Sequence, residues 1–362
     1  MQTIPLIDVK AQYAPLVPEL EARFRSVLES GNFIRGENYW AFEEEAAAYL
    51  GVSRAIGVAN GTDALVLVLD AMEIGPGDEV ICPAFTFYAT AESIARRGAT
   101  PVFADIDPVT LNVDAQDVGA RITSRTRAIM PVHLFGRPAP MRELVGLGAP
   151  VIEDAAQAFG APGVAQLGAI STYSFFPTKN LFCLGDGGLV ATSDEELADR
   201  VRMLSFHGSR DKKDFDFVGY NSRLDEMQAA FLRLFLEHID EWNRGRREAA
   251  ARYAELGLGE LVELPEDDPG HIYHLFVCRS PERAAIRAAL TEAGIASAEY
   301  YTTPLHLQPA LRFLGWEPGS LPETERAATD TFSVPLWPGI PLEAQERVVE
   351  TVRSAVSVAS RA

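Results

Sequence analysis

Val151-Ile-Glu-Asp154 begins with two β-branched apolar residues and ends on two carboxylates. Such a run reads as a short strand buried within a sheet, with Asp154 at its carboxyl edge, where open α/β folds hold their ligands. The stretch that follows, 155–178, contains no charged residue. Its glycines, Pro162 and glutamines suit a membrane-spanning helix poorly, so it reads as buried strands and loops. Toward the N-terminus, apolar runs at 55–59, 79–83, 101–104 and 128–132 alternate with helical patterns at 62–72, 88–97, 114–121 and 139–147. Apolar strands joined by helices of that length predict an α/β fold whose mostly parallel sheet is covered on both faces.

Ahead of this array, residues 15–30 place acidic groups early and apolar groups at helical spacing before Gly31, and 37–50 repeat the pattern before Gly51. Beyond it, 171–176 and 188–192 read as further strands, and 223–253 as one or two long helices. The last third has a different texture: a strand-like 272–278, a helix over 282–293, and a tail rich in proline. With 362 residues the chain has material for two domains. The expected division is a large α/β domain over 1–245 and a smaller α+β domain over 246–362.

The charge balance restricts the partners. Thirty-two Lys and Arg against 51 Asp and Glu give −19, a field that repels nucleic acid and anionic membrane surfaces. Cys82, Cys183 and Cys278 are odd in number and far apart, so neither a disulfide framework nor a Cys-x-x-Cys metal site is expected, and the setting reads as the reducing cytoplasm. Met1-Gln-Thr-Ile-Pro-Leu-Ile-Asp8 has no basic leader segment, and nothing later reads as a membrane span.

Lysine usage points to the chemistry. Only Lys10, Lys179, Lys212 and Lys213 are lysines, so Lys179 stands out as a lone amine after an uncharged stretch and before Asn180-Leu-Phe-Cys-Leu-Gly185. Burial lowers an amine's pKa, which a Schiff-base lysine or a lysine proton shuttle requires; a snorkelling or ion-paired lysine has the same surroundings. Asp154 at its sheet edge suits a pyridine nitrogen kept protonated, as pyridoxal phosphate needs, and also suits a helix N-cap. Ala59-Asn-Gly-Thr-Asp-Ala64 turns from a strand end into an apolar helix, whose free N–H groups and Thr62 hydroxyl form an anion site for a phosphate. No G-x-G-x-x-G follows the first strand and Gly185-Asp-Gly-Gly188 lacks P-loop spacing, so dinucleotide and ATP sites lose support.

Taken in order, Asn60-Gly-Thr-Asp-Ala-Leu65, Pro83-Ala-Phe-Thr-Phe-Tyr-Ala-Thr90, Glu153-Asp-Ala-Ala-Gln-Ala-Phe-Gly160, Ser174-Phe-Phe-Pro-Thr-Lys-Asn180, Gly185-Asp-Gly-Gly188 and Gly219-Tyr-Asn-Ser-Arg-Leu-Asp225 resemble the DegT/DnrJ/EryC1/StrS family of pyridoxal phosphate-dependent sugar aminotransferases. The resemblance runs from Ile7-Asp8 to Pro335-Leu-Trp-Pro-Gly339. It implies an aspartate-aminotransferase-like (fold type I) architecture and a homodimer with shared active sites. The implied reaction moves an amino group from an amino acid, L-glutamate being the expected donor, to a nucleotide-linked keto-sugar, at position 3 rather than 4.

By the same resemblance, Lys179 would bond the cofactor and, once released, shuttle the proton, and Asp154 would pair with the pyridine nitrogen. Gln157 would hydrogen-bond the ring hydroxyl and Phe87 would stack on the ring. Gly61, Thr62 and Ser174 would hold the phosphate, with Asn221 reaching it from the second subunit. Tyr301 and His306, in Tyr300-Tyr-Thr-Thr-Pro-Leu-His306, would border the substrate. Apart from the resemblance, Arg210, Lys212 and Lys213 cluster in a polar loop that suits a nucleotide diphosphate or plain solvation. Phe182 departs from the family pattern by placing bulk beside the lysine loop, and 160–168 is short. Two rival expectations remain: a sugar dehydratase, whose members look to carry histidine where Lys179 stands, and a non-catalytic sensor on the same fold.

Overall fold

The computed structural model describes residues 3–359; Met1 and Gln2, the start of the stretch read above for a leader, lie outside them. Helices α1 (Val9–Tyr13), α2 (Val17–Ser30) and α3 (Glu37–Leu50) precede the sheet. Gly31 and Gly51 end α2 and α3 at φ of 64° and 70°, the left-handed conformation that glycine adopts without a Cβ clash.

Strands and helices then alternate as the apolar runs predict. They are β1 (Arg54–Val58), α4 (Gly61–Ala71), β2 (Glu79–Pro83), α5 (Ala89–Arg96), β3 (Thr100–Ala104), α6 (Ala115–Ala120), β4 (Thr126–Ile129), α7 (Met141–Gly146) and β5 (Ile152–Asp154). Two strands, β6 (Ile170–Ser174) and β7 (Gly188–Thr192), complete the sheet. The strands pair in two sets, β1-β7-β6-β5 and β3-β2-β4. Parallel bridges from Ile129 to Val151 and from Val132 to Asp154 join the sets into one sheet with β4 beside β5. Parallel pairs dominate, as expected. Only β7 runs against its neighbours, β1 and β6. A strand buried on both faces carries no mark of its direction in its sequence, so this reversal was not readable.

Helices cover both faces. On one side α4 and α5, with α8 (Glu195–Ser205), bury Leu65, Val68, Ile94 and Val201 against Val58, Val80 and Val190. On the other, α3 and α9 (Glu226–Leu236) meet Phe175, Phe182 and Leu189. Burial of this extent, at about 25 cal/mol per Å² of apolar surface, is the main favourable term.

The long helix α10 (Ile239–Glu255) leads into a second core built on β8 (Phe276–Arg279), α11 (Arg283–Glu292), α12 (Pro322–Asp330), β9 (Thr331–Val334) and α13 (Leu342–Ala359). Ala249, Ala250 and Tyr253 of α10 enter this core, as does Ile4 from the N-terminus. The sequence pattern singled out neither α8 nor α12, β9 and α13. In α12, Pro322 of the proline-rich tail sits in the first helical turn, where a missing N–H costs nothing. Among the described residues the three cysteines are buried and free, no cluster of metal-ligating side chains exists, and no helix is long and apolar enough to cross a membrane.

Candidate active site

A cavity of about 870 Å³ opens at the carboxyl ends of β1, β2, β5 and β6. Gly61, Thr62, Phe87, Asp154, Gln157, Ser174, Lys179 and Tyr301 all line it, so eight of the expected residues converge from segments scattered over 240 positions. Its size lies in the range that encloses a cofactor-sized ligand.

One end of the cavity is a backbone cradle. Asn60 caps α4 by accepting the Asp63 N–H at 2.8 Å, which leaves the Gly61 and Thr62 amides without helical partners. A Cβ on Gly61 would lie 2.7 Å from Ser174 Cβ, and one on Gly188 would lie 2.5 Å from the Asn60 carbonyl carbon. The start of α4, the end of β6 and the start of β7 therefore touch through positions that must lack side chains. Unpaired amides at a helix start with hydroxyls beside them are donors for a phosphate.

Farther in, Asp154 ends β5 almost fully buried. Its Oδ2 accepts from the Thr90 hydroxyl at 2.8 Å and its Oδ1 from the Ala156 N–H at 3.2 Å. Burial pushes its carboxyl above the usual range, while these two donors and the nearby Lys179 ammonium hold it down. The half-buried Lys179 makes no side-chain hydrogen bond among the described residues; burial lowers its amine to about 8, against the opposing pull of Asp154. An amine near neutrality facing a buried carboxylate is the pairing that the two residues suggested separately.

Gln157 is fixed from both ends: its Oε1 accepts the Phe135 N–H at 2.7 Å and its Nε2 donates to the Tyr301 hydroxyl at 3.2 Å. Tyr301 stacks on Phe135 with ring centroids 6.3 Å apart, and burial raises its hydroxyl pKa. Phe87, by contrast, is 60 % exposed on the cavity wall, an apolar ring awaiting a cover. Cradle, exposed ring, buried carboxylate and unpaired amine together match the phosphate, flat ring, ring nitrogen and aldehyde of pyridoxal phosphate.

His306, Arg210, Lys212 and Lys213 do not line this cavity, and Asn221, expected at the partner subunit's phosphate, lies outside the cavity of its own chain. His306 is buried between Phe103 and Trp316 with Nε2 3.2 Å from Glu325, because its proline-held segment turns it into the core instead of toward the substrate side. Arg210 is exposed and pairs with Asp199 at 3.3 Å. Asn221 bridges Phe206 outside the cavity and accepts a hydrogen bond from Arg223. Phe182 also stays clear: its ring packs 4.7 Å from Phe235 and 5.7 Å from Trp242, so its bulk fills the core. Thr90 and His274 are among the cavity residues that went unpredicted. Thr90 lies in a quoted motif but carried no signal, because its partner is 64 positions away. His274 sits in an apolar run that reads as ordinary strand.

The sequence profile of the DegT/DnrJ/EryC1/StrS aminotransferase family matches residues 16–353. A Geobacillus stearothermophilus protein named pleiotropic regulatory protein is 47 % identical, covering 96 % of this chain and 97 % of its own length. A UDP-N-acetyl-3-dehydro-alpha-D-glucosamine 3-aminotransferase of Acidithiobacillus ferrooxidans is 44 % identical, covering 97 % of both chains. The crystal structure of S. venezuelae DesV in complex with a ketimine intermediate superposes with a TM-score of 0.95 at 41 % identity, covering 98 % of this chain and 99 % of that one. The chain belongs to the DegT/DnrJ/EryC1/StrS aminotransferase family, whose cofactor is pyridoxal phosphate.

Proposed function

We propose that this aminotransferase takes its amino group from L-glutamate and gives it to the position-3 ketone of a nucleotide-linked sugar, working as a cytoplasmic homodimer with shared active sites. The observation that carries the reading is the unpaired Lys179 amine, lowered to about 8, beside buried Asp154 in one cavity. Position 3 is supported by the name of the Acidithiobacillus relative. The dimer is supported by the exposed apolar side chains Phe215, Phe217 and Val218, which precede Asn221 and need cover.

Pyridoxal phosphate, when bound, supplies a ring that accepts the electron pair of a breaking C–H bond and carries nitrogen between the two half-reactions. The residues supply the rest. Gly61 and Thr62 amides and the Ser174 hydroxyl bind the phosphate, helped by Asn221 of the partner subunit. Phe87 covers one ring face. Asp154, kept in place by Thr90 and Ala156, would pair as a carboxylate with the ring nitrogen. Gln157, held between Phe135 and Tyr301, would offer its remaining Nε2 proton to the ring hydroxyl. Lys179 Nζ takes the proton from the substrate carbon as a free amine and returns it as an ammonium, and a pKa near about 8 populates both forms.

The test is borohydride reduction of the loaded enzyme and peptide mapping, with Lys179→Ala alongside. A pyridoxyl label on Lys179, and loss of turnover by at least about a hundredfold in the variant, support the mechanism. Turnover by the variant near the wild-type rate sinks it. A non-catalytic sensor is the second reading, favoured by the name of the Geobacillus relative. It predicts an unlabelled Lys179 and no glutamate consumption with any keto-sugar.

A further inference from the structure

We propose that His274 binds the α-carboxylate of the amino-acid donor, with Arg246 supplying positive potential from behind. The inference rests on the aminotransfer reading above and names a binding residue for its first half-reaction.

His274 lines the cavity with Lys179 and is only 4 % exposed. Its ring makes no hydrogen bond among the described residues, and its Nδ1 is sealed from solvent without a partner. Nε2 is not sealed in this way, so it is the nitrogen open to the cavity. The backbone around it is clamped: Ile272 N–H donates to Gly136 O at 2.9 Å, and Leu275 N–H to Phe135 O at 3.4 Å. Gly136, at φ 93°, would bring a Cβ within 2.8 Å of His274 N, so this approach requires glycine.

Arg246 anchors the same segment from beneath. Its Nη1 donates to the Tyr273 and His274 carbonyls, each at 3.3 Å, and its Nη2 to Gln12 Oε1 at 3.4 Å. The guanidinium is fully buried and meets no carboxylate among the described residues; its Nε has no partner at all. Burying a charge is costly, and neutral oxygens of Tyr273, His274 and Gln12 offset this one only in part. Burial first, and then Lys179 and Arg246, hold the His274 imidazole well below its usual pKa, hence neutral.

A neutral imidazole whose Nδ1 is sealed and unpartnered best carries its proton on Nε2, because a buried N–H without an acceptor forfeits a full hydrogen bond. The cavity therefore receives an N–H donor backed by the buried guanidinium of Arg246. A carboxylate matches that set in both hydrogen bonding and charge. In an amino-acid donor the carboxylate is attached to the carbon whose proton Lys179 takes, so it must lie beside Lys179, where His274 stands. A sugar hydroxyl would use the N–H but leave the positive potential of Arg246 unanswered, within a chain that carries −19 overall.

The experiment compares the cofactor-loaded wild type with His274→Phe, which removes the donor, and His274→Gln, which places an amide N–H near the position of Nε2. Steady-state KM is measured for L-glutamate and for the keto-sugar. Calorimetry gives Kd for 2-methyl-L-glutamate, which has no proton to lose at the reacting carbon. Loss of a hydrogen bond to a charged group corresponds to about tenfold to a hundredfold. His274→Phe should weaken glutamate and 2-methylglutamate by that factor and leave the sugar KM within about twofold, with His274→Gln recovering part of the loss. An unchanged donor KM, or an effect confined to the sugar, overturns the inference. If the variants fail to fold, the wild type still decides: the α-carboxamide of 2-methylglutamate should bind at least about tenfold more weakly, and equal binding refutes a carboxylate site. A wild type that accepts no amino acid in the first half-reaction brings down the aminotransfer reading itself, a result separable from all of these.

Discussion

The Thr90 hydroxyl donates a 2.8 Å hydrogen bond to Oδ2 of Asp154, linking the first turn of α5 to the end of β5. Hydrogen bonds to ionised groups contribute about 1.5–3 kcal/mol. Thr90→Val, which keeps the shape and removes the donor, should raise the Asp154 pKa further and weaken pyridoxal phosphate by about tenfold or more in a spectral titration. Thr90→Ser should stay close to wild type.

Asp154 also has a cost in the protein without cofactor. Burial raises its carboxyl pKa, so the folded state holds a proton that the unfolded chain has already released. Stability then declines as pH climbs from the unfolded carboxylate value through the folded one. Asp154→Asn should therefore raise the apo Tm at pH 8 and flatten its pH dependence above pH ~4, while weakening the cofactor. A lower apo Tm in this variant would contradict the assigned direction.

Lys179 shifts the opposite way, to about 8, and Asp154 limits that shift. Trinitrobenzenesulfonate labelling of Lys179 in the apo enzyme, followed by mass spectrometry, should titrate with a midpoint near about 8. In Asp154→Asn the midpoint should fall, because the charge that favours the ammonium is gone. A midpoint at the ordinary lysine value would show that the amine is solvated.

Shared sites make a complementation prediction. Lys179→Ala and Asn221→Ala chains co-expressed with different tags should form mixed dimers in which one site has both residues intact. Those dimers should regain up to about half of wild-type activity per dimer, by counting intact sites. Activity no higher than in either homodimer would mean that Asn221 acts within its own chain or not at all.

The sheet was legible because β1, β2, β3 and β7 are largely apolar runs bounded by helix or turn signals, and the cavity was legible because its residues lie at strand ends. What stayed hidden depends on contacts across the fold. The reversal of β7 is one case. His274 is another: its neighbours Ile272, Tyr273 and Leu275 give a strand pattern, and only packing against Phe135 and Gly136 turns it to the cavity. His306 went the other way. Its motif marked it for the substrate side, yet Phe103 and Trp316 enclose it and Glu325 takes its Nε2.

The insertion of β7 between β1 and β6 sets an order of assembly. β1 and β6 have no direct pairing, so the edge strand β1 joins the rest of the sheet by strand pairing only through residues 188–192, and the Asn60 turn contacts Gly188 across 128 positions of chain. Contacts of such sequence separation form late. A nascent chain that has not yet delivered β7 lacks the floor of the phosphate cradle, so cofactor capture cannot stabilise early folding intermediates and acts instead as a seal on chains whose sheet has already closed.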